Sequence, residues 1–461
     1  MKEQGLQSSR AVLIVTLDDC LVAPETMLES FWTAASANCW KALAALGPGA
    51  GRAARLESVA RTAPQRLHYR EDVIAAVRSW REAGGRAVLA APADEPAAAA
   101  IAAHLNLFDA VEHAPADGPD FDDAMASHYG PGGFVRLAPG TVFNPDFAVP
   151  GAAPTFLADA IPADAPRPRF AAKAALRLVR PHQWAKNALV FVPMLAAHQF
   201  TLAALWHAVL AFVAFSLIAS ATYVLNDLLD LNADRAHPRK RGRPLASGAV
   251  SLAQGTLMVP LLAVAGIGAA LLSGLPLLGT LAAYAVFTTA YSFHLKRLVV
   301  IDICALAVLY TMRILAGSAA TGIDASMWLL AFSTFFFFSL AAIKRLAELV
   351  DGVKAGRSGA HGRGYIVDDV AIVSNIAVSA GLVSVLVLAL YANSEQVQLL
   401  YHRPEMLWAS CLVLLFWNSR IAILTQRGQM HDDPLVFAVR DRVSLVCGAL
   451  VGGMALAGTV G

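Results

Sequence analysis

The distribution of apolar residues divides the chain into two parts. From residue 184 onward, apolar runs of 16 to 23 residues recur, and polar segments separate them. A helix needs about 20 apolar residues to cross a bilayer core, so these runs predict nine membrane-spanning helices. The predicted bounds are 184–199, 203–225, 253–273, 275–293, 299–318, 326–343, 370–392, 405–425 and 440–460. The sequence therefore predicts an all-α membrane bundle. The first run, 184–199, shows the weakest signal for a span because it is short and has polar flanks.

The first 160 residues alternate short apolar runs with helical periodicity, which is typical of a soluble α/β layer. The run at 11–17 is too short for a signal-peptide core and predicts a buried strand. A helix over 70–83, a strand over 86–91 and a helix over 94–106 are expected to follow. We predict a soluble domain at 1–160, a linker and interfacial segment at 161–180, and a transmembrane domain at 181–461.

The composition agrees with a membrane protein and excludes other classes. Apolar residues make up 57% and charged residues 15% of the 461-residue chain, and its formal net charge is +2. This balance excludes a nucleic-acid binder driven by bulk positive charge, and the high hydrophobicity excludes a disordered chain. The five cysteines form no C-x-x-C pair, so neither a disulfide framework nor a zinc site is expected, and a reducing compartment is favoured.

Every second segment that connects the predicted spans is rich in basic residues. Sixteen Lys and Arg residues lie in the segments 226–252, 294–298, 344–369 and 418–442, whereas the other set of segments holds only Arg403. Cytoplasmic loops of membrane proteins are enriched in Lys and Arg. We therefore expect the basic segments and the amino-terminal domain to face the cytoplasm of a bacterial-type inner (plasma) membrane.

Three carboxylates lie close together where the second apolar run ends. Asp227, Asp230 and Asp234 stand at positions i, i+3 and i+7, which share one face of a helix. Carboxylates at this spacing repel each other unless a cation lies between them, and they suit Mg²⁺, which also bridges to substrate phosphates. A solvated acidic helix end is the alternative, but the apolar neighbours and the location at a membrane mouth favour a metal site.

Basic and polar residues follow this motif and recur at the same ends of other runs. Arg makes bidentate contacts to phosphate oxygens, so a basic loop beside a Mg²⁺ site suits a polyanionic substrate. The alternative for each residue is an anchor at headgroup level. Arg313 falls inside an apolar run, where a cation is costly, and is expected to pair with a carboxylate or a bound phosphate. The candidate substrate-binding residues are Arg180, Lys186, Asn187, Asn226, Arg239, Lys240, Arg243, Lys296, Arg313, Lys344, Arg345, Glu348 and Arg442.

The stretch from Asn226 to Asp234 resembles the N-D-x-x-D-x-x-x-D motif of UbiA-type intramembrane prenyltransferases. The resemblance covers about residues 170–461 and looks closer to one branch, the decaprenyl-phosphate phosphoribosyltransferases. The supporting stretches are 180–187, 234–244, 313–317, 344–348 and 441–442. One departure stands out. Aromatic-prenylating members usually carry two spaced acidic residues in a second motif, whereas the matching region at 291–302 offers only Asp302.

This resemblance implies a Mg²⁺-dependent transferase that moves 5-phosphoribosyl from phosphoribosyl pyrophosphate to a polyprenyl phosphate. Asp227, Asp230 and Asp234 would hold Mg²⁺ against the pyrophosphate, and Asp302 joins them as a candidate catalytic residue. The alternative is a prenyltransferase that moves a prenyl group from its diphosphate to an aromatic or other acceptor. A transporter is disfavoured because the Asp run is confined to one membrane face. The polyprenyl chain length, the true acceptor and the formation of a homo-oligomer stay open.

The amino-terminal strand resembles the start of haloacid dehalogenase-type phosphatases, D-x-D-G-T-L, and the resemblance covers about residues 10–120. Thr16 stands where the nucleophilic Asp belongs, Asp18 matches the second Asp, and Asp19 and Cys20 replace the Gly and Thr. A phosphoryl-enzyme mechanism needs the first carboxylate as its nucleophile. We therefore predict a degenerate haloacid dehalogenase-like domain without phosphatase activity.

Overall fold

The chain packs into two compact units. The first comprises Met1–Leu178 and Tyr223–Val259, and the second comprises Val179–Thr222 and Pro260–Gly461. The residues around the acidic motif thus group with the amino-terminal part, which the apolar runs alone do not reveal. The structure, a computed structural model, describes residues 12–22, 26–47, 52–60, 64–67, 69–82, 84–91, 97–113, 119–130, 133–137, 171–237, 240–354, 364–430 and 433–459.

The first unit contains a parallel four-stranded sheet, which confirms the predicted α/β layer. The strands are β1 (Val12–Thr16), β2 (Arg86–Ala91), β3 (Ala110–His113) and β4 (Phe134–Leu137), in the order β3-β2-β1-β4. Val12 of β1 lies opposite Arg86 of β2 and Phe134 of β4. The helices that accompany the sheet are α1 (Thr26–Ala45), α2 (Arg52–Val59), α3 (Glu71–Glu82), α4 (Ala97–Leu105) and α5 (Pro119–Tyr129).

Helices cover both faces of this sheet. Leu13 and Leu89 lie in one apolar core with residues of α3 and α4. Ile14 and Val88 point to the opposite face and pack with Phe121 of α5. Because alternate residues of a strand point to opposite faces, a strand buried on both sides has the continuous apolar sequence seen in β1.

Long apolar helices make up most of the remaining chain. Among the residues that the structure describes, eight helices are long and apolar enough to span a membrane, which confirms the helical membrane bundle. These are α8 (Leu202–Leu229), α10 (Leu252–Ser273), α11 (Leu275–Phe293), α12 (Ile301–Thr321), α13 (Met327–Lys354), α14 (Val370–Ala392), α16 (Glu405–Gln426) and α18 (Arg442–Thr459). Shorter helices are α6 (Ala172–Val179), α7 (Val192–Ala196), α9 (Leu231–Ala236), α15 (Glu395–Leu400) and α17 (Pro434–Ala438).

The first of the nine predicted spans is not a spanning helix. Pro181–Phe191 forms a 3₁₀ helix, called here the polar segment, which continues into the five-residue helix α7. Lys186 and Asn187 in this segment are buried. Buried polar groups need partners inside the protein, and these two residues have them, as described below. The run at 184–199 is therefore an internal polar segment, and eight of the nine predicted spans are spanning helices among the residues that the structure describes.

Helix α12 and the polar segment approach each other closely at Gly317. A Cβ atom at this position would lie 2.0 Å from the carbonyl oxygen of Val190. Only glycine, which has no Cβ, permits a backbone contact of this kind. The missing side chain therefore sets how near the polar segment lies to α12.

Candidate active site

The acidic motif lies in the first unit, at the end of α8 and in α9. Asp227 and Asp234 are buried, and the guanidinium of Arg243 lies between them. Arg243 Nη1 donates to Asp227 Oδ1 at 3.0 Å and to Asp234 Oδ2 at 2.6 Å. Two carboxylates that would otherwise repel each other are thus held together by one cation.

The third carboxylate of the motif does not join this pair. Helix α8 ends at Leu229, α9 begins at Leu231, and Asp230 between them is exposed. The expected alignment of three carboxylates required one continuous helix, and the break at Asp230 removes it. Across the described ranges, no group of three or more Asp, Glu, His or Cys side chains is placed to hold a metal ion.

The buried pair nevertheless has the chemistry of a divalent-cation site. Asp234 Oδ1 is buried and makes no hydrogen bond to any residue that the structure describes, and the ammonium of Lys240 lies 3.9 Å from it. A buried carboxylate oxygen without a hydrogen bond is costly, and a hard cation would satisfy it. Asp227 and Asp234 therefore fit a Mg²⁺ ion, and Arg243 supplies the balancing positive charge in this structure.

Other predicted residues of this region flank the pair. Asn226 is half-buried next to Asp227, and Lys240 is exposed in the 3₁₀ turn Lys240–Gly242. Arg239 lies outside the described residues. The structure thus brings Lys240 and Arg243 close to Asp234, as the sequence predicted for a basic loop that follows the motif.

In the second unit, two lysines share one buried carboxylate. Lys186 Nζ of the polar segment and Lys344 Nζ of α13 lie 2.7 Å and 3.0 Å from the same atom, Asp433 Oδ2. The hydroxyl of Tyr310 donates to this carboxylate at 3.1 Å. Asp433 is the one carboxylate that bonds both ammonium groups; Glu348 also attracts Lys344, but Arg313 adds a third cation nearby. This lysine cluster (Lys186, Lys344 and Asp433) therefore keeps positive charge that suits a phosphate group.

The protonation of the lysine cluster follows from its burial. Burial lowers the pKa of Lys186 to about 8, because desolvation and the nearby cations Lys344 and Arg313 outweigh the attraction of Asp433. Burial alone would raise the pKa of Asp433, but the ammonium groups of Lys344 and Lys186 hold it well below its usual range. Asp433 is therefore ionised at neutral pH, whereas Lys186 titrates close to the physiological range.

Arg313 lies buried in α12 among neutral acceptors. Its Nε donates to Asn187 Oδ1 at 2.9 Å, its Nη2 donates to the Tyr284 hydroxyl at 2.9 Å, and its Nη1 bonds the carbonyl of Leu309. The Tyr284 ring centroid also lies 5.0 Å from Cζ of Arg313. None of these described partners is a carboxylate, so of the two expected partners only a bound phosphate remains as a proposal.

Asp302 and Arg345 form a fully buried ion pair at the centre of a polar network in the second unit. Asp302 Oδ2 lies 2.7 Å from Arg345 Nε, and both side chains are 0% exposed. The Tyr365 hydroxyl donates to Asp302 Oδ1 at 2.6 Å, and the half-buried Glu348 also pairs with Arg345. Both side chains are therefore enclosed by protein, and the catalytic role of Asp302 and the substrate contact of Arg345 stay predictions.

The same network fixes the turn that carries Lys296. The backbone N–H of Val300 donates to the Tyr365 hydroxyl at 2.8 Å, and Val300 has a φ of +66°. A β-branched residue rarely adopts this conformation, and surrounding contacts must maintain it. Lys296 is half-buried in the preceding 3₁₀ turn, Leu295–Arg297. We interpret Asp302, Arg345 and Tyr365 as positioning residues for this turn.

Removing one partner of the network should destabilise the protein. Arg345→Met leaves the Asp302 carboxylate buried without its guanidinium, and we expect the free energy of unfolding to fall by about 3–5 kcal/mol. The double variant Asp302→Leu/Arg345→Met removes both charges and should recover most of this loss. Thermal unfolding of the purified protein in detergent measures the difference, and equal stabilities of the single and double variants would contradict the pairing.

Sequence reasoning missed Asp433, the centre of the lysine cluster. Its signal is the pair Asp433-Pro434, because Asp at a helix N-cap followed by Pro at the first helical position is a common helix start. Asp433 Oδ1 indeed accepts a hydrogen bond from the backbone N–H of Leu435 at 3.2 Å.

Of the remaining predicted residues, Arg180 precedes the polar segment with a φ of +54°, and Arg442 is exposed at the start of α18.

The strand end that resembles a phosphatase carries a buried thiol. Cys20 Sγ donates to the carbonyl of Leu137, and burial raises the pKa of the Cys20 thiol to about 12. A thiol that stays protonated at neutral pH is a poor nucleophile. Thr16 ends β1 and is buried, and the side chains of Asp18 and Asp19 lie outside the described residues. The absence of phosphatase activity stays a prediction.

Comparisons with known proteins relate both parts of the chain to other sequences. The model of the UbiA prenyltransferase family matches residues 188–359. The uncharacterized protein y4nM of Sinorhizobium fredii is 33% identical over 438 residues, which cover 87% of this chain and 82% of that protein. A decaprenyl-phosphate phosphoribosyltransferase of Mycobacterium tuberculosis is 37% identical over 179 residues, which cover 38% of this chain and 59% of that protein. A solved UbiA homologue from Archaeoglobus fulgidus, bound to GPP and Mg²⁺, is 17% identical with a TM-score of 0.47, and the match covers 62% of this chain and 98% of that chain.

Proposed function

We propose that this chain, which belongs to the UbiA prenyltransferase family, transfers a 5-phosphoribosyl group from phosphoribosyl pyrophosphate to a polyprenyl phosphate. Its family and its long apolar helices make it a multi-pass membrane protein and an enzyme of the transferase class. The specific substrates are our proposal. The similarity to proteins named decaprenyl-phosphate phosphoribosyltransferase supports it, although the match spans 59% of their length.

The observation that carries the proposal is the lysine cluster. Both proposed substrates bear phosphate at the reacting end, and each needs cations that hold it near the other. Lys186 and Lys344 are already oriented by Asp433, and their charge is only partly balanced by that single carboxylate. A buried positive charge without full compensation is costly, so a phosphate oxygen would be bound strongly there.

The proposed reaction places modest demands on the chain's side chains. The bond between carbon 1 of the ribose and a pyrophosphate oxygen breaks, and pyrophosphate leaves with the bonding electrons. An oxygen of the polyprenyl phosphate forms the new bond to that carbon, and because this phosphate is ionised, no strong general base is required. The contribution of Lys186, Lys344 and Arg313 is to hold negatively charged groups in a fixed arrangement against their mutual repulsion.

Asp227 and Asp234 would hold a Mg²⁺ ion in this proposal, and the exposed Asp230 remains a further candidate ligand. When bound, Mg²⁺ stabilises the charge that grows on a departing pyrophosphate. Arg243 orients both carboxylates through hydrogen bonds from one nitrogen. The basic loop beside this pair, with Lys240, provides further positive charge for a pyrophosphate.

Activity should fall as the pH rises through about 8. The ammonium of Lys186 is charged below its lowered pKa of about 8 and neutral above it, so the enzyme loses a phosphate-binding charge at alkaline pH. We expect kcat/KM for phosphoribosyl pyrophosphate to decline above this value. Lys186→Arg should abolish the decline because Arg stays protonated. A pH profile of kcat/KM from 6.5 to 9.5 measures both, and an unchanged profile in Lys186→Arg would assign the decline to another group.

The function can be tested with two parallel reactions. Purified protein and Mg²⁺ receive labelled phosphoribosyl pyrophosphate with a polyprenyl phosphate in one tube, and a prenyl diphosphate with an aromatic acid in the other. A labelled lipid in the first tube alone, lost on addition of a chelator, is the expected result. A product in the second tube alone would show a prenyl transfer and overturn the proposal, and so would the absence of product from both tubes.

The membrane topology is also part of this proposal. We place the basic segments, the acidic motif and the domain at 1–160 on the cytoplasmic side, because Lys and Arg concentrate in one set of connecting segments. Phosphoribosyl pyrophosphate is a water-soluble donor, whereas a polyprenyl phosphate lies in the bilayer. A site at a membrane mouth gives access to both.

A further inference from the structure

The end of helix α1, together with Leu46 directly after it, carries an apolar surface that no described residue covers. Trp40 is 83% exposed, Leu43 is 48% exposed and Leu46 is 36% exposed. We call these three residues the α1 patch. A tryptophan exposed to this extent in a soluble domain is unfavourable in water, whereas Trp is enriched at the interface between membrane and water. The α1 patch therefore needs a partner that suits aromatic and aliphatic side chains.

The α1 patch belongs to a separate helical segment with its own cap. Asn38 has non-helical φ and ψ of −157° and 101°, and its side-chain Oδ1 accepts a hydrogen bond from the backbone N–H of Lys41 at 3.0 Å. An Asn that bonds the N–H three residues later is a helix N-cap. The segment after Asn38 is thus a short helix whose direction differs from that of the first part of α1.

This short helix has its small apolar residues inside and its large ones outside. Ala42 and Ala45 are buried, whereas Trp40 and Leu43 share the opposite, exposed face at a spacing of three residues. Arg55 of α2 fixes its end by donating to the carbonyls of Ala45 and Gly47, at 3.0 Å and 2.9 Å. The protein therefore holds the patch outward, and the exposure is not caused by a frayed terminus.

The first part of α1 is fastened near the point where a membrane span begins. Trp32 Nε1 donates to Thr256 Oγ1 at 2.9 Å, and Thr256 is the fifth residue of the membrane helix α10. Asn232 of α9 donates to Thr33 at 2.9 Å, and Arg235 pairs with Glu29. All of these contacts lie within the first unit. They hold α1 at the membrane face where α10 starts.

We propose that the α1 patch inserts into the headgroup region of the bilayer at the membrane face where α10 begins. Trp40 follows Trp32 by only eight residues, and all of them but Asn38 are helical, with a rise of about 1.5 Å each, so the patch stays close to that face. The exposed Lys41 between the apolar residues can contact anionic lipid phosphates. The bilayer is the partner because α1 is bound to a membrane helix and combines Trp, Leu and Lys, as interfacial segments do.

Site-directed spin labelling of the full chain in lipid nanodiscs tests this insertion. Cys39 and Cys304, the exposed cysteines of the described part, are first replaced by Ser. Trp40→Cys and Leu43→Cys then carry the label, and Glu82→Cys at the exposed end of α3 is the matched control. Collision rates with oxygen, which partitions into lipid, and with a water-soluble nickel complex measure the surroundings of each label.

Labels at positions 40 and 43 should collide with the nickel complex several-fold less often, and with oxygen more often, than the label at position 82. Nanodiscs with anionic lipid should strengthen this difference, and Lys41→Ala should remove that strengthening. Equal accessibility at positions 40 and 82 would overturn the proposal. Protection from both reagents at position 40 would also overturn it, because it would indicate a protein partner or a second copy of the chain.

Discussion

Asp227→Asn should reduce the proposed phosphoribosyl transfer by about 10²–10³-fold, the range for loss of one group that stabilises charge in a transition state. Asp227 and Asp234 form the buried pair that Arg243 bridges, and an amide at either position binds Mg²⁺ poorly. The remaining activity should also need more Mg²⁺ for half-saturation. A Mg²⁺ titration of the initial rate in the wild-type protein and the variant measures both effects.

The control for this prediction is Asp324→Asn, which makes the same chemical change at an exposed residue outside the acidic motif. It should leave both the rate and the Mg²⁺ requirement close to those of the wild type. Full activity of Asp227→Asn at ordinary Mg²⁺ concentration would refute the metal assignment. A variant that unfolds is recognised by its thermal transition, and in that case Asp234→Asn provides the second measurement.

Lys344→Met should lower kcat/KM by about 10²-fold, which corresponds to the loss of one hydrogen bond to a charged group. Methionine keeps most of the apolar stem and removes the ammonium that lies 3.0 Å from Asp433. The cluster then has one carboxylate and one lysine, so its surplus positive charge disappears. We expect the main effect in KM for the phosphate substrate, measured from initial rates at varied phosphoribosyl pyrophosphate.

A matched control lies on the same helix, ten residues later. Lys354 is exposed and donates to the carbonyls of Arg427 and Gly428. Lys354→Met therefore makes the same substitution at a lysine that does not bond Asp433. It should retain near wild-type kinetics. Similar losses in both lysine variants would show that the effect is general to α13 and not specific to phosphate binding.

The distribution of apolar residues predicted most of the fold because burial determines it directly. The strand at 12–16 and the long helices each follow from one property, continuous apolar sequence, which burial on all sides requires. The prediction of a membrane span at 184–199 was wrong. The run has the apolar content of a span, but its buried Lys186 and Asn187 need partners inside the protein. Those partners lie far away in the sequence, and a local pattern does not contain them.

The candidate site was predicted in part for the same reason. Lys186, Arg313 and Lys344 could be proposed from the sequence because cations inside or at the ends of membrane helices are informative by themselves, and their substrate contacts stay predictions. Asp433 was missed because an acidic residue in a loop looks ordinary until its two lysines are known. Asp302 was assigned a catalytic role because sequence alone does not distinguish a carboxylate that faces substrate from one enclosed by Arg345 and Tyr365.

The contact at Gly317 makes the chemistry sensitive to a residue that has no functional group. A methyl group there would displace the Val190 peptide, and Lys186 stands only four residues earlier in the same rigid 3₁₀ helix. The distance between the ammonium groups of Lys186 and Lys344 therefore depends on the absence of a side chain at Gly317 of α12. A mutagenesis library restricted to charged positions would overlook the place where the spacing of those charges is decided.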